Sequence, residues 1–127
     1  MTTIKSYTDL EQSKKLAEIL PLESADMYYF RQIDFDYFPP NVESFYHIPF
    51  YKDGKEEFTY DIPCWSLASL LGVLDYPQLS KDKLGSGKVG WMVSVYPNDC
   101  RYDSCWHDNP IDACVDIIEK LNELNLL

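Results

Sequence analysis

Cys64, His107 and Asn109 are the residues whose types and order could carry covalent chemistry. A thiol followed downstream by a histidine and then an asparagine is the papain-like order, in which the imidazole takes the thiol proton and the amide orients the imidazole. Cys64 stands in Pro63-Cys64-Trp65-Ser66-Leu67-Ala68-Ser69-Leu70-Leu71-Gly72, whose apolar spacing predicts a buried helix. At the start of a helix, unpaired amides and the positive dipole end would lower a thiol pKa. Three observations weigh against that chemistry. A cysteine in an apolar helix is commonly buried, no glycine-lined oxyanion segment precedes Cys64, and His107-Asp108-Asn109 reads equally well as a polar lead-in to a helix cap. The sequence therefore favours a packed thiol and assigns no catalytic residue. A small thiol enzyme with Cys64 as nucleophile and His107 as base is the alternative.

Cys100, Cys105, His107 and Cys114 place four possible zinc ligands within 15 residues. Zinc is usually held by two tight knuckles such as C-x2-C, and neither gap has that form. Cys114 also falls on the apolar stripe of the last predicted helix, so no metal or other cofactor is expected and this set is kept as the alternative. Leu84-Gly85-Ser86-Gly87-Lys88-Val89 imitates a phosphate loop but has Asp82 for its first glycine and Val89 for its magnesium-binding hydroxyl. It reads as a turn. Asp99, Asp103 and Asp108 lack the alternation of a calcium loop. Asp34 and Asp36 alternate with Phe35 and Tyr37, as the wet face of a strand would.

The elements that must position these residues are legible in part. Thr8-Asp9-Leu10-Glu11 forms a capping box and predicts a helix with Leu10, Leu16, Ala17 and Leu20 on one stripe, ended by Pro21. Residues 27–62 hold 12 of the 19 aromatics and read as strands. Asp53-Gly54 there predicts a hairpin between Ser44–Tyr51 and Glu56–Ile62, with Pro39-Pro40 and Pro49 as interruptions. Val89–Tyr96 reads as a strand, Pro97-Asn98-Asp99 as a turn, and Tyr102–Trp106 as a segment pairing back. Asn109 as cap, Pro110 in the first turn and Ile111, Cys114, Val115, Ile117, Ile118 and Leu121 as the apolar side predict a closing helix, with Asp112 and Asp116 toward solvent. The fold expected is α+β: a single domain over residues 1–127, with an antiparallel sheet packed on one face by about three helices.

Three segments together carry a resemblance: Glu11 to Met27, Ile62 to Leu71, and His107 to Val115 leading into Lys120-Leu121-Asn122-Glu123-Leu124. In these the chain resembles a group of short acidic bacterial proteins of prophage and mobile-element type, notably from Bacteroides-like gut bacteria. The resemblance implies a phage or mobile-element setting and an intracellular location. It implies no activity, cofactor or partner.

The 127 residues carry 21 Asp and Glu against 11 Lys and Arg, a formal charge of −10. Such a chain is a poor partner for nucleic-acid backbones or anionic membranes, both of which need a cationic face. No stretch approaches the roughly 18 apolar residues of a membrane span, and Met1–Ser6 have no signal-peptide core. A cytoplasmic protein with reduced cysteines is expected. The acidity concentrates in residues 21–75 and 89–127, which also hold most of the aromatics. Tyr-rich surface bordered by carboxylates suits a protein partner, because tyrosine offers rigid contact area at low entropic cost. The expectation is a noncatalytic protein-binding module using Tyr28, Tyr37, Tyr46 and Tyr51 with Asp34 and Asp36. An acidic DNA-mimic inhibitor is a further alternative, and nothing in the sequence fixes the oligomeric state.

Overall fold

A computed structural model of the protein describes residues 5–29, 50–52, 55–57 and 62–127. Its first helix, α1 (Leu10–Ile19), is capped by Asp9 and not by Thr8. Asp9 Oδ1 accepts from the Gln12 amide at 2.8 Å, and Gln12 Oε1 accepts from the Asp9 amide at 3.1 Å. The capping box thus sits one residue later than expected. Thr8 is withdrawn from it because its side chain is wholly buried, where Oγ1 accepts from the Trp65 amide at 3.1 Å. Leu16 and Leu20 turn inward as the spacing requires, whereas Ala17 is exposed.

β1 (Met27–Tyr29) pairs antiparallel with β4 (Ile62–Cys64), setting Met27 opposite Cys64 and Tyr29 opposite Ile62. β2 (Phe50–Lys52) pairs antiparallel with β3 (Lys55–Glu57). Lys52 lies opposite Lys55, which leaves two positions between the strands, as the Asp53-Gly54 hairpin requires. Asp53, Gly54, the outer parts of both predicted strands and the prolines at 39, 40 and 49 lie outside the described residues.

Cys64 ends β4, and the helix that was expected to begin there starts later. Ser66 caps α2 (Leu67–Val73), accepting from the Ser69 amide. Asp26 holds Ser66 in turn through its amide at 2.9 Å and through its hydroxyl. β5 (Gln78–Lys83), β6 (Val89–Val95) and β7 (Tyr102–Asp103) form an antiparallel sheet in the order β5-β6-β7. α3 (Pro110–Glu123) closes the chain, capped by Asn109, whose Oδ1 accepts from the Asp112 amide at 2.8 Å.

The architecture is α+β, with three helices and antiparallel strands among the described residues. Among the described residues the strands form three sheets, two of two strands and one of three. α3 lies on β6, α1 on β4, and α2 against α3. Leu16, Trp65, Leu70, Val93 and Val95 meet Ile111, Cys114, Ile117, Ile118 and Leu121 in the main core. Each aliphatic side chain of that kind contributes about 1.5–3 kcal/mol on full burial. Polar contacts fix the helices on this core. Lys5 Nζ donates to Asp9 at 2.9 Å, Gln12 at 2.6 Å and Asp112 at 3.0 Å, which joins the starts of α1 and α3. Asp112 is therefore a docking group and not the solvent-facing charge expected. No helix among the described residues is long and apolar enough to cross a membrane.

Candidate functional site

Cys64 is wholly buried, packed in a small cluster with Met27 and Tyr29 and flanked by Tyr7, Leu10 and Ile62. Its Sγ donates to the Thr8 carbonyl at 3.4 Å, and Thr8 Oγ1 lies 3.5 Å from the sulfur. Tyr29 OH donates to the same carbonyl at 2.8 Å, and Thr8 Oγ1 meets Ser13 Oγ at 2.8 Å. Burial pushes the thiol pKa up, and the hydrogen bonds from Thr8 and Ser13 do not reverse this. The expectation of a thiol activated by a helix N-terminus is corrected on two counts: Cys64 belongs to a strand, and its environment disfavours the thiolate.

The structure does not assemble the alternative triad. Asn109 is occupied as the α3 cap, with Nδ2 donating to Asp112 Oδ2 at 2.8 Å. His107 Nε2 pairs with Asp116 Oδ2 at 2.8 Å. The alternative metal set is equally dispersed. Cys114 is wholly buried in the main core, where burial pushes its pKa up to about 12, while Cys100 and Cys105 are exposed. Among the described residues no group of three or more His, Cys, Asp or Glu is placed to hold a metal ion.

What surrounds His107 is a β-bulge. Ser94 faces Asp103, and the Ser104 amide donates to the Val93 carbonyl at 2.9 Å, continuing one register. Trp91 and His107 then exchange both backbone hydrogen bonds, at 2.7 and 2.8 Å, one position out of that register. Cys105 and Trp106 therefore stand together against Met92, the two-against-one pattern that re-aims side chains at sheet edges. The structure also shows why the slip is held. Asp116, on α3, accepts from the Cys105 amide at 2.8 Å and from His107, so one carboxylate fastens both sides of the bulge. Burial alone would raise the Asp116 pKa, but these two hydrogen bonds outweigh it and hold the carboxyl below its ordinary value.

His107 faces α3, and its neighbour Trp106 turns outward with 40% of its surface exposed. The face of the sheet away from α3 carries Met92, Ser94 and Tyr96, since Val93 and Val95 point into the core. Tyr96 is 36% exposed, and its hydroxyl donates to Gln78 at 3.1 Å. Ser94 Oγ donates to Asp103 Oδ1 at 2.6 Å, and Arg101 Nε reaches the same oxygen at 2.9 Å. Asp82, Asp99 and Asp108 are exposed. The residues offer two open aromatics, Tyr96 and Trp106, and an Asp103 carboxylate shared by Arg101 and Ser94. Among the described residues no hydrogen bond joins the exposed Cys105 thiol to His107.

Of the residues expected to bind, Tyr28 lies in β1 with its backbone opposite Pro63, and Tyr51 lies in β2 opposite Glu56. Tyr37, Tyr46, Asp34 and Asp36 lie outside the described residues. The Gly85-Ser86-Gly87-Lys88 segment is the turn between β5 and β6, with Leu84 and Lys88 hydrogen-bonded at 2.8 Å and Gly87 at φ 86°. It leads into a strand, with no helix to receive a phosphate. Compared with protein-family models, curated proteins and solved structures, the chain matches none of them.

Proposed function

We propose that the protein is a noncatalytic binding module that holds another protein through an acidic, aromatic surface. Trp106 carries the reading: a tryptophan at a bulge in the sheet edge, open to solvent, on a chain that also exposes Tyr96 and the carboxylates of Asp82, Asp99 and Asp108. Exposed tryptophan and tyrosine dominate the energetics of protein interfaces, because burying them removes a large apolar area from water while their polar atoms find partners. Tyr28, Tyr37, Tyr46 and Tyr51 with Asp34 and Asp36 form the second part of the proposed surface, on the strength of composition. The resemblance of residues 11–27, 62–71, 107–115 and 120–124 to mobile-element proteins implies a phage or mobile-element setting, which makes bacterial lysate the place to look for the partner.

Immobilised protein, used to capture partners from bacterial lysate, tests the reading. Trp106→Ala and Tyr96→Ala, compared with Tyr46→Ala and Tyr51→Ala, are expected to reduce recovery of the captured protein. Recovery indifferent to all four changes removes the proposed surface.

A further inference from the structure

A cavity of about 630 Å³ lies away from the bulge, where the ends of the three helices meet. Its size falls in the range of small-molecule sites. Leu20 at the end of α1, Val73 and Leu74 at the end of α2, and Leu121 in the last turn of α3 give it apolar walls. The C-terminal ends of three helices, where the dipoles are negative, thus border one space. α1 and α2 have no basic residue in their last turns, and Lys120 of α3 is engaged elsewhere, donating to the Asp103 carbonyl at 2.8 Å. Asp75 is the one charged side chain among the described lining residues.

Gly72 supplies an independent observation. It sits inside α2 and costs helix stability relative to alanine. Neither packing nor backbone conformation accounts for it: an added Cβ would meet nothing within 4 Å, and its φ is not in the left-handed region. It lines the cavity, and a side chain added there would project into open space.

We propose that this cavity binds a small organic cation, an ammonium group on an apolar stem. The ammonium faces Asp75 and the helix ends, while the stem packs on Leu20, Val73, Leu74 and Leu121. This goes beyond the protein-binding surface, which shares none of these residues.

The probe is hexyltrimethylammonium, with hexanol and hexanoate as neutral and anionic counterparts of the same stem. Binding is followed by amide chemical shifts at 0.15 M salt, which screens the general acidity of the chain. The cation is expected to saturate, with shifts centred on Leu20, Gly72, Val73 and Leu121, and to bind at least about five-fold tighter than hexanoate, as helix-end charge preferences allow. Gly72→Leu is expected to abolish these shifts. Gly72→Ala, which favours the helix and guards against a folding failure, is expected to weaken them. Asp75→Asn is expected to narrow the gap between cation and alcohol. Shifts spread over the acidic surface, equal binding of hexanoate, or saturation unchanged in both Gly72 variants would overturn the proposal.

Discussion

His107 Nε2 and Asp116 Oδ2 lie 2.8 Å apart, joining the bulged edge of the sheet to α3. The same carboxylate oxygen accepts from the Cys105 amide, so Asp116 holds the one-residue slip that turns Trp106 outward. Asp116→Asn is expected to destabilise the protein by about 1 kcal/mol at neutral pH, the cost of weakening charge-assisted bonds to the exposed Cys105 amide and the half-buried His107 ring. The sign of its pH dependence follows from the lowered pKa of Asp116. Its stabilising contribution is present above the ordinary carboxylate pKa near 4 and is lost as pH falls through the lower folded value. Urea denaturation should show wild type and variant well separated at pH 7 and drawing together as pH falls below the ordinary carboxylate range. A constant gap would contradict this role.

Cys64 is expected to resist iodoacetamide in the folded protein, because its sulfur is wholly buried and burial raises its pKa. Cys100 and Cys105, both exposed, should be modified first. Mass spectrometry of the labelled chain checks the order. Rapid modification of Cys64 near neutral pH would revive the thiol enzyme.

Asn109→Ala is expected to cost about 1–2 kcal/mol through loss of the α3 cap. It removes the acceptor for the Asp112 amide and a donor to the Asp112 carboxylate, which also receives Lys5 and Gln12. Thermal or urea unfolding measures the loss.

Tyr76 stands at φ 47° and is 87% exposed. A bulky residue gains nothing from the left-handed region, which asparagine tolerates better. Tyr76→Asn is expected to stabilise the protein by about 0.5–1 kcal/mol, part of the strain held at such positions. An unfolding midpoint lower than wild type would show that the exposed ring contributes a contact of its own.

Local signals made α3 and β6 legible. Asn109, Pro110 and the stripe from Ile111 to Leu121 specify a helix without reference to the rest of the chain, and Val93 and Val95 alternate as a strand must. β5 was not legible, because Gln78–Lys83 has little apolar alternation and is held chiefly by backbone pairing to β6. The first cap lies at Asp9–Gln12, one residue beyond the expected Thr8–Glu11 box. The burial of Thr8 beneath Trp65 decides it, a contact across 57 residues. Cys64 was misplaced for the same kind of reason, its strand being defined by pairing with Met27. The bulge at Cys105 and Trp106 is a register slip fixed by Asp116 on another element, and the alternation of residues alone carries no sign of it.

The exposure of Trp106 offers the most direct test of the binding reading. Acrylamide quenching of wild type against Trp106→Phe isolates the Trp106 signal from Trp65, which is fully buried, and Trp91. Adding the captured partner should protect Trp106 from quenching. Unchanged quenching on saturation with that partner would contradict the account.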